Sequence, residues 1–124
     1  MDVHKRAGWE WLVVFILFIF SASLLGMGFK QYNRLDREKT LYYQLELLRT
    51  ATLLYKAVNK ENPKNLAQLC TDTFRLGADE VSRYYIDPPL PMKEGKVLDP
   101  FDLAFAYDPA TGYIKSVSPG YSLW

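Results

Sequence analysis

The sequence predicts an α+β chain: one long N-terminal helix, apolar in its first half and amphipathic in its second, packed on a small antiparallel sheet. Three observations predict it. An uncharged apolar run near the N-terminus continues, with no proline, into a stretch of helical periodicity. The apolar positions of that stretch form one stripe that needs a covering surface. The C-terminal third holds segments rich in aromatic and β-branched residues around a loop of hairpin chemistry, which supplies that surface.

The apolar run comes first. Trp11 to Phe29 is nineteen residues without a charge, and twelve of them are Leu, Ile, Val or Phe. At helical rise it spans about 28 Å, close to the hydrocarbon thickness of a bilayer. Its aliphatic and Phe side chains favour insertion by about 4 to 7 kcal/mol as an upper figure. Trp9 and Trp11 fit an interfacial belt. A cleaved signal peptide would have a shorter apolar region followed by small residues, for which "SAS" at 21–23 is the candidate. Because "LLGMGF" prolongs the run beyond it, a retained membrane anchor is expected. Lys5 and Arg6 precede the run, whereas Lys30, Arg34, Arg37 and Lys39 follow it. That count puts the C-terminal side in the cytoplasm.

The helix is expected to continue without a break from about Trp9 to Asn59, roughly 75 Å at helical rise. Leu41, Leu45, Leu48, Ala51, Tyr55 and Val58 recur at steps of four and three, with Leu47 and Leu54 widening the stripe. "DREK" at 36–39 reads as a solvated face. Asn62-Pro63 stops the helix, since the residue before proline avoids the α region. A short helix follows with Asn65 as its cap, and another is expected near 78–85. Pro88, Pro89 and Pro91 then form an extended connector. Strands are expected at 103–107 and 113–118, joined by "DPATG", with a shorter one at Lys96–Leu98. The domain reading is a basic leader at 1–8, a transmembrane half at 9–29, an amphipathic half at 30–60, and a head at 61–124 completed by 41–60.

Composition narrows the function. Net charge is +1, and residues 30–124 hold thirteen Lys/Arg against twelve Asp/Glu, with no basic block. Nothing points to nucleic acid. The single histidine, His4, lies in the leader, and there is one cysteine, Cys70. A His-based triad or a His/Cys zinc site in the folded part is therefore excluded, and no internal disulfide forms. Cys70 reads first as a buried small hydrophobe and second as a reactive thiol. No phosphate loop or nucleophile elbow is present, so the chain is read as not an enzyme, with no cofactor and no identified small-molecule substrate. A weaker alternative is a ligand pocket among Tyr84, Tyr85, Tyr107 and Tyr113. Asp99, Asp102 and Asp108 suit either turn starts or oxygen ligation of Ca²⁺.

"LLYKAVNKENPKNLAQL" resembles the end of the long helix in the type IV pilin superfamily, where an Asn-rich turn and a Pro precede a short Leu-bearing helix. "VLDPFDLAFAYDPATGYIKSVSP" is similar to the hairpin of the pseudopilins of type II secretion systems within it. With the apolar helix, the resemblance covers most of the chain. It implies a pilin-like lollipop and a structural subunit that assembles with other pilin-like subunits through its N-terminal helix. Trp11, Phe15, Phe18 and Leu25 would carry that packing from inner-membrane lipid into a fibre. The resemblance also implies that the C-terminal domain is periplasmic, against the charge count.

It implies processing between Gly8 and Trp9. The family's Glu at the fifth residue after the cut is absent, because Val13 stands there and Glu10 comes second. Glu10 is read either as a dipole-favoured carboxylate in the headgroup region or as an intersubunit partner. The family's helix-softening proline is replaced by Lys30. Two readings follow: a minor or tip-like subunit without an upstream neighbour, or an unprocessed single-pass inner-membrane scaffold of a secretion or division complex. Some pseudopilins bind Ca²⁺ after the hairpin, which is why the aspartates near it are of interest.

Overall fold

In the computed structural model, the described backbone comprises residues 3–78 and 81–124, with side chains from residue 8 onward. The elements in order are α1 (Val3–Asn59), α2 (Gln68–Thr71), β1 (Thr73–Phe74), β2 (Arg83–Tyr84), β3 (Met92–Lys93), β4 (Lys96–Val97), β5 (Ala106–Asp108) and β6 (Tyr113–Lys115). The chain divides into two compact units, Met1–Asp36 and Arg37–Trp124.

The first unit is the N-terminal part of α1. From Gly8 to Asp36 every residue is exposed. α1 is the one helix among the described residues long and apolar enough to cross a membrane by length and composition. Ser23 spends its hydroxyl on the Ile19 carbonyl one turn back, at 2.9 Å, so it carries no unpaired donor along an apolar surface.

The second unit has its own core. Leu41, Leu45, Leu48, Ala51 and Tyr55 of α1 are buried with Leu66, Leu69, Cys70, Phe74, Tyr85, Ile86, Val97, Phe105, Ile114 and Tyr121. The steps of four and three along α1 therefore mark its buried stripe. Each fully buried Leu contributes about 2 kcal/mol by leaving water. Leu47 and Leu54 pack against the edge of this core. Val58, expected on the stripe, is exposed. The reason is local, because α1 ends one residue later and Lys60 turns to a left-handed φ of 63°. The Asn59 side-chain amide donates to the Tyr55 carbonyl (3.1 Å) and the Tyr85 hydroxyl (2.9 Å), tying the helix end to the core. The stop is thus made at Asn59–Lys60, before Asn62-Pro63 is reached.

Asn65 caps as its sequence position suggests. Its Oδ1 accepts from the Gln68 N–H at 3.0 Å, while Gln68 Oε1 accepts from the Lys64 N–H at 2.7 Å. The first bond satisfies a donor that a helix start leaves open, and the second ties the preceding Lys64 to the same turn. The helix it opens has only four residues.

The sheet is antiparallel throughout and divided into three two-stranded pieces, β1-β2, β3-β4 and β5-β6. Tyr107 stands opposite Ile114 in the last pair. A bridge between Leu98 and Ala104 links the β4 and β5 neighbourhoods. The strand expected at Lys96–Leu98 exists as β4. Its partner β3, just after the prolines, is an addition to the expectation. The helix expected near 78–85 is replaced over 83–84 by β2, paired with Thr73–Phe74. Burial decides this: Tyr85 and Ile86 enter the core, and the Ile86 N–H donates to the Leu69 carbonyl at 3.0 Å.

Candidate functional site

The residues expected to carry assembly lie on the first unit. Trp11, Phe15 and Phe18 follow at steps of four and three, and Leu25 comes seven residues later, so all four share one helix face. Each is at least 65% exposed. With Leu12 and Val14, the first three form a continuous exposed apolar surface. Gly8, Trp9 and Glu10 are exposed as well, and a side chain at Gly8 would meet nothing within 4 Å. Glu10 lies about 100° from the Trp11 direction by helical geometry, off that face. The side chains of Lys5 and Arg6, part of the basic leader, lie outside the described residues.

The aspartates resolve into separate structural roles. Asp99 is buried at 4% exposure. Its Oδ1 accepts from the Phe101 and Leu103 N–H groups, both at 2.9 Å, and its Oδ2 accepts from the Ser118 hydroxyl. Asp102 is exposed at a φ of 64°, the turn residue of the tight loop that Asp99 closes. Asp108 opens the β5–β6 loop. Its Oδ2 accepts from the Thr111 hydroxyl at 2.8 Å and its Oδ1 from the Ala110 N–H at 3.0 Å. Those bonds, the Thr111 hydroxyl first, hold the Asp108 carboxyl below its ordinary value. Among the described residues no group of three or more His, Cys, Asp and Glu is arranged to hold a metal ion. The carboxylates start and close turns, with Asp99 and Asp108 spending their oxygens on neighbours.

Tyr107 and Tyr113 line different clefts. Tyr85 is buried against Tyr55 and Phe74, with ring centroids 5.0 and 4.7 Å away. Tyr107 donates its hydroxyl to the Pro63 carbonyl at 2.6 Å. Tyr84 is exposed on β2, and Tyr113 is exposed on β6. Burial raises the Tyr55 and Tyr107 phenols above 10.0, with the Asp108 charge adding to the second. Cys70 is a buried free thiol.

Three sets of contacts escaped sequence reasoning because their partners are far apart in the chain. Tyr121 donates its hydroxyl to Glu38, a half-buried member of the "DREK" stretch expected to be a solvated face. Tyr121 also stacks on Phe101 at 5.3 Å and meets Trp124 edge-on. Arg49 donates to the Ile114 carbonyl at 3.1 Å, joining α1 to β6. The Asn62 amide donates to the Pro109 and Ala110 carbonyls at 3.0 and 3.2 Å. Only the Asn-rich turn gave a signal, as a cluster of side-chain donors beside a proline.

Comparison with known proteins returns no family model, no curated protein and no solved structure that matches this chain.

Proposed function

We propose that this chain is a structural subunit of a pilus-like secretion or fibre apparatus, anchored in a membrane by the first part of α1 and assembled by packing of that helix against other subunits. The observation that carries the reading is the contrast within α1 itself. Its uncharged residues 11–29 are exposed among the described residues, whereas its stripe from Leu41 to Tyr55 is fully used in the core of the second unit. So much unsatisfied apolar surface requires lipid or protein around it. The work of assembly is non-covalent, as helices leave lipid for contact with one another and gain close packing rather than hydrophobic transfer. The C-terminal unit then faces the periplasm or the fibre exterior. No step of this role needs catalysis, a metal or a cofactor.

Val13, which stands where the resemblance calls for a glutamate, suits a minor or tip-like subunit and equally a second reading. In it the chain is an unprocessed single-pass inner-membrane scaffold. The N-terminal mass of the protein isolated from native membranes, with and without prepilin peptidase, separates the two. A subunit is expected to lack residues 1–8 and to begin at Trp9 in a peptidase-dependent way. An intact N-terminus under both conditions overturns processing and favours the scaffold.

A further inference from the structure

The second unit carries a cleft of about 330 Å³ between α1 and the β5–β6 hairpin, the lower end of the range for ligand sites. On the α1 side, Arg49, Leu53 and Lys56 follow at steps of four and three and so share one flank, with the Arg49 and Lys56 backbone positions about 10 Å apart along the axis. Tyr113 and Ile114 form the facing wall, and Asn62 closes one end.

Three features define what fits. No carboxylate lines the cleft. The Lys56 ammonium makes no hydrogen bond or ion pair among the described residues, and Arg49 commits one donor to the Ile114 carbonyl out of the five that a guanidinium offers. Leu53 and Tyr113, one on each wall, are 69% and 57% exposed. The cleft is thus an apolar slot between two cations whose charge nothing inside it balances.

We infer that this cleft binds a short acidic–apolar peptide segment of a partner protein, a Leu or aromatic side chain held between Leu53 and Tyr113 and flanked by Asp or Glu facing Arg49 and Lys56. Guanidinium and carboxylate pair in a forked geometry that fixes orientation. The apolar residue supplies burial that two charges alone would lack, and a rim charge pair sets register and rate of encounter. The inference is independent of the assembly reading, because every residue it uses lies in the second unit and binding is measured without assembly.

The test uses the full chain, isotopically labelled, in phosphatidylcholine nanodiscs, which present no anionic lipid. The peptide acetyl-Gly-Glu-Leu-Glu-Gly-amide is titrated to millimolar concentration while backbone amides are followed by NMR. Saturating shifts confined to Lys56, Tyr113, Ile114 and their neighbours are expected. Lys56→Glu and Leu53→Ser, both at exposed positions, should each weaken binding about tenfold with the rest of the spectrum unchanged. A peptide with Lys in place of Glu should give no shifts, and raised salt should weaken the acidic one. Absence of saturable shifts in the cleft, or equal affinity in Lys56→Glu, overturns the inference. Sedimentation that detects association of copies lost in Lys56→Glu, with no peptide shifts, also overturns it and assigns the cleft to a second copy.

Discussion

The Ser118 hydroxyl donates to the buried carboxylate of Asp99, nineteen residues earlier in the chain, and so fastens the segment after β6 to the turn before β5. The same carboxylate gathers two backbone N–H groups of its own turn. Removing it takes the acceptor from three donors, the Ser118 hydroxyl buried and the Phe101 and Leu103 N–H groups partly buried. Asp99→Ala is therefore expected to lower unfolding free energy by about 3 kcal/mol, the cost of losing hydrogen bonds to a charged group. Ser118→Ala should cost less. Denaturant melts of both single variants and the double variant check this, and a coupling energy near zero would contradict the connection.

Gly112 takes a φ of +75°, and a Cβ there would lie 3.1 Å from Asn62 Oδ1. Gly112→Ala combines left-handed strain with displacement of the Asn62 side chain that holds Pro109 and Ala110. A loss of about 1 to 2 kcal/mol is expected from the backbone alone. Asn62→Ala, measured beside it, should lower stability without strain, and the double variant should cost less than the sum of the two.

Tyr107 links β5 to the Pro63 carbonyl only while its phenol is protonated. Its folded value is raised above 10.0, so the stabilisation is complete below pH 10.0 and is lost as pH rises through the higher folded value. Tyr107→Phe is expected to be less stable than the native chain at neutral pH, with the gap closing only in strong alkali. Urea melts across that range test the sign.

Asp108 behaves in the opposite sense. Its carboxyl is held below 3.8, so its contribution is complete above that pH and is lost as pH falls through the lower folded value. Asp108→Asn should match the native chain in acid stability only below that point. The same series of melts, run from neutral to acid, reads it.

Periodicity and short-range chemistry were legible in the sequence. The stripe Leu41, Leu45, Leu48, Ala51 and Tyr55, the Asn65 cap and the Asp108–Gly112 loop each depend on neighbours within a few residues. Val58 fell off the stripe because the helix end is set by Lys60 and Asn59, not by the next proline. Arg83–Tyr84 pairs with Thr73–Phe74 because Tyr85 and Ile86 need the core, a demand invisible in a strand of two residues. The Tyr121–Glu38, Arg49–Ile114 and Asp99–Ser118 links join distant positions with no periodic signature. The cationic flank of the cleft was visible as charges, but its apolar wall across from them belongs to another element.

In the proposed assembly, one face of the apolar helix meets other protein. Benzoylphenylalanine placed singly at Trp11, Phe15, Phe18 and Leu25, and on the opposite face at Val13, Phe20 and Leu24, tests it by photocross-linking in native membranes. Protein adducts are predicted from the first set and lipid adducts alone from the second. Protein adducts from neither set, or equally from both, would contradict it.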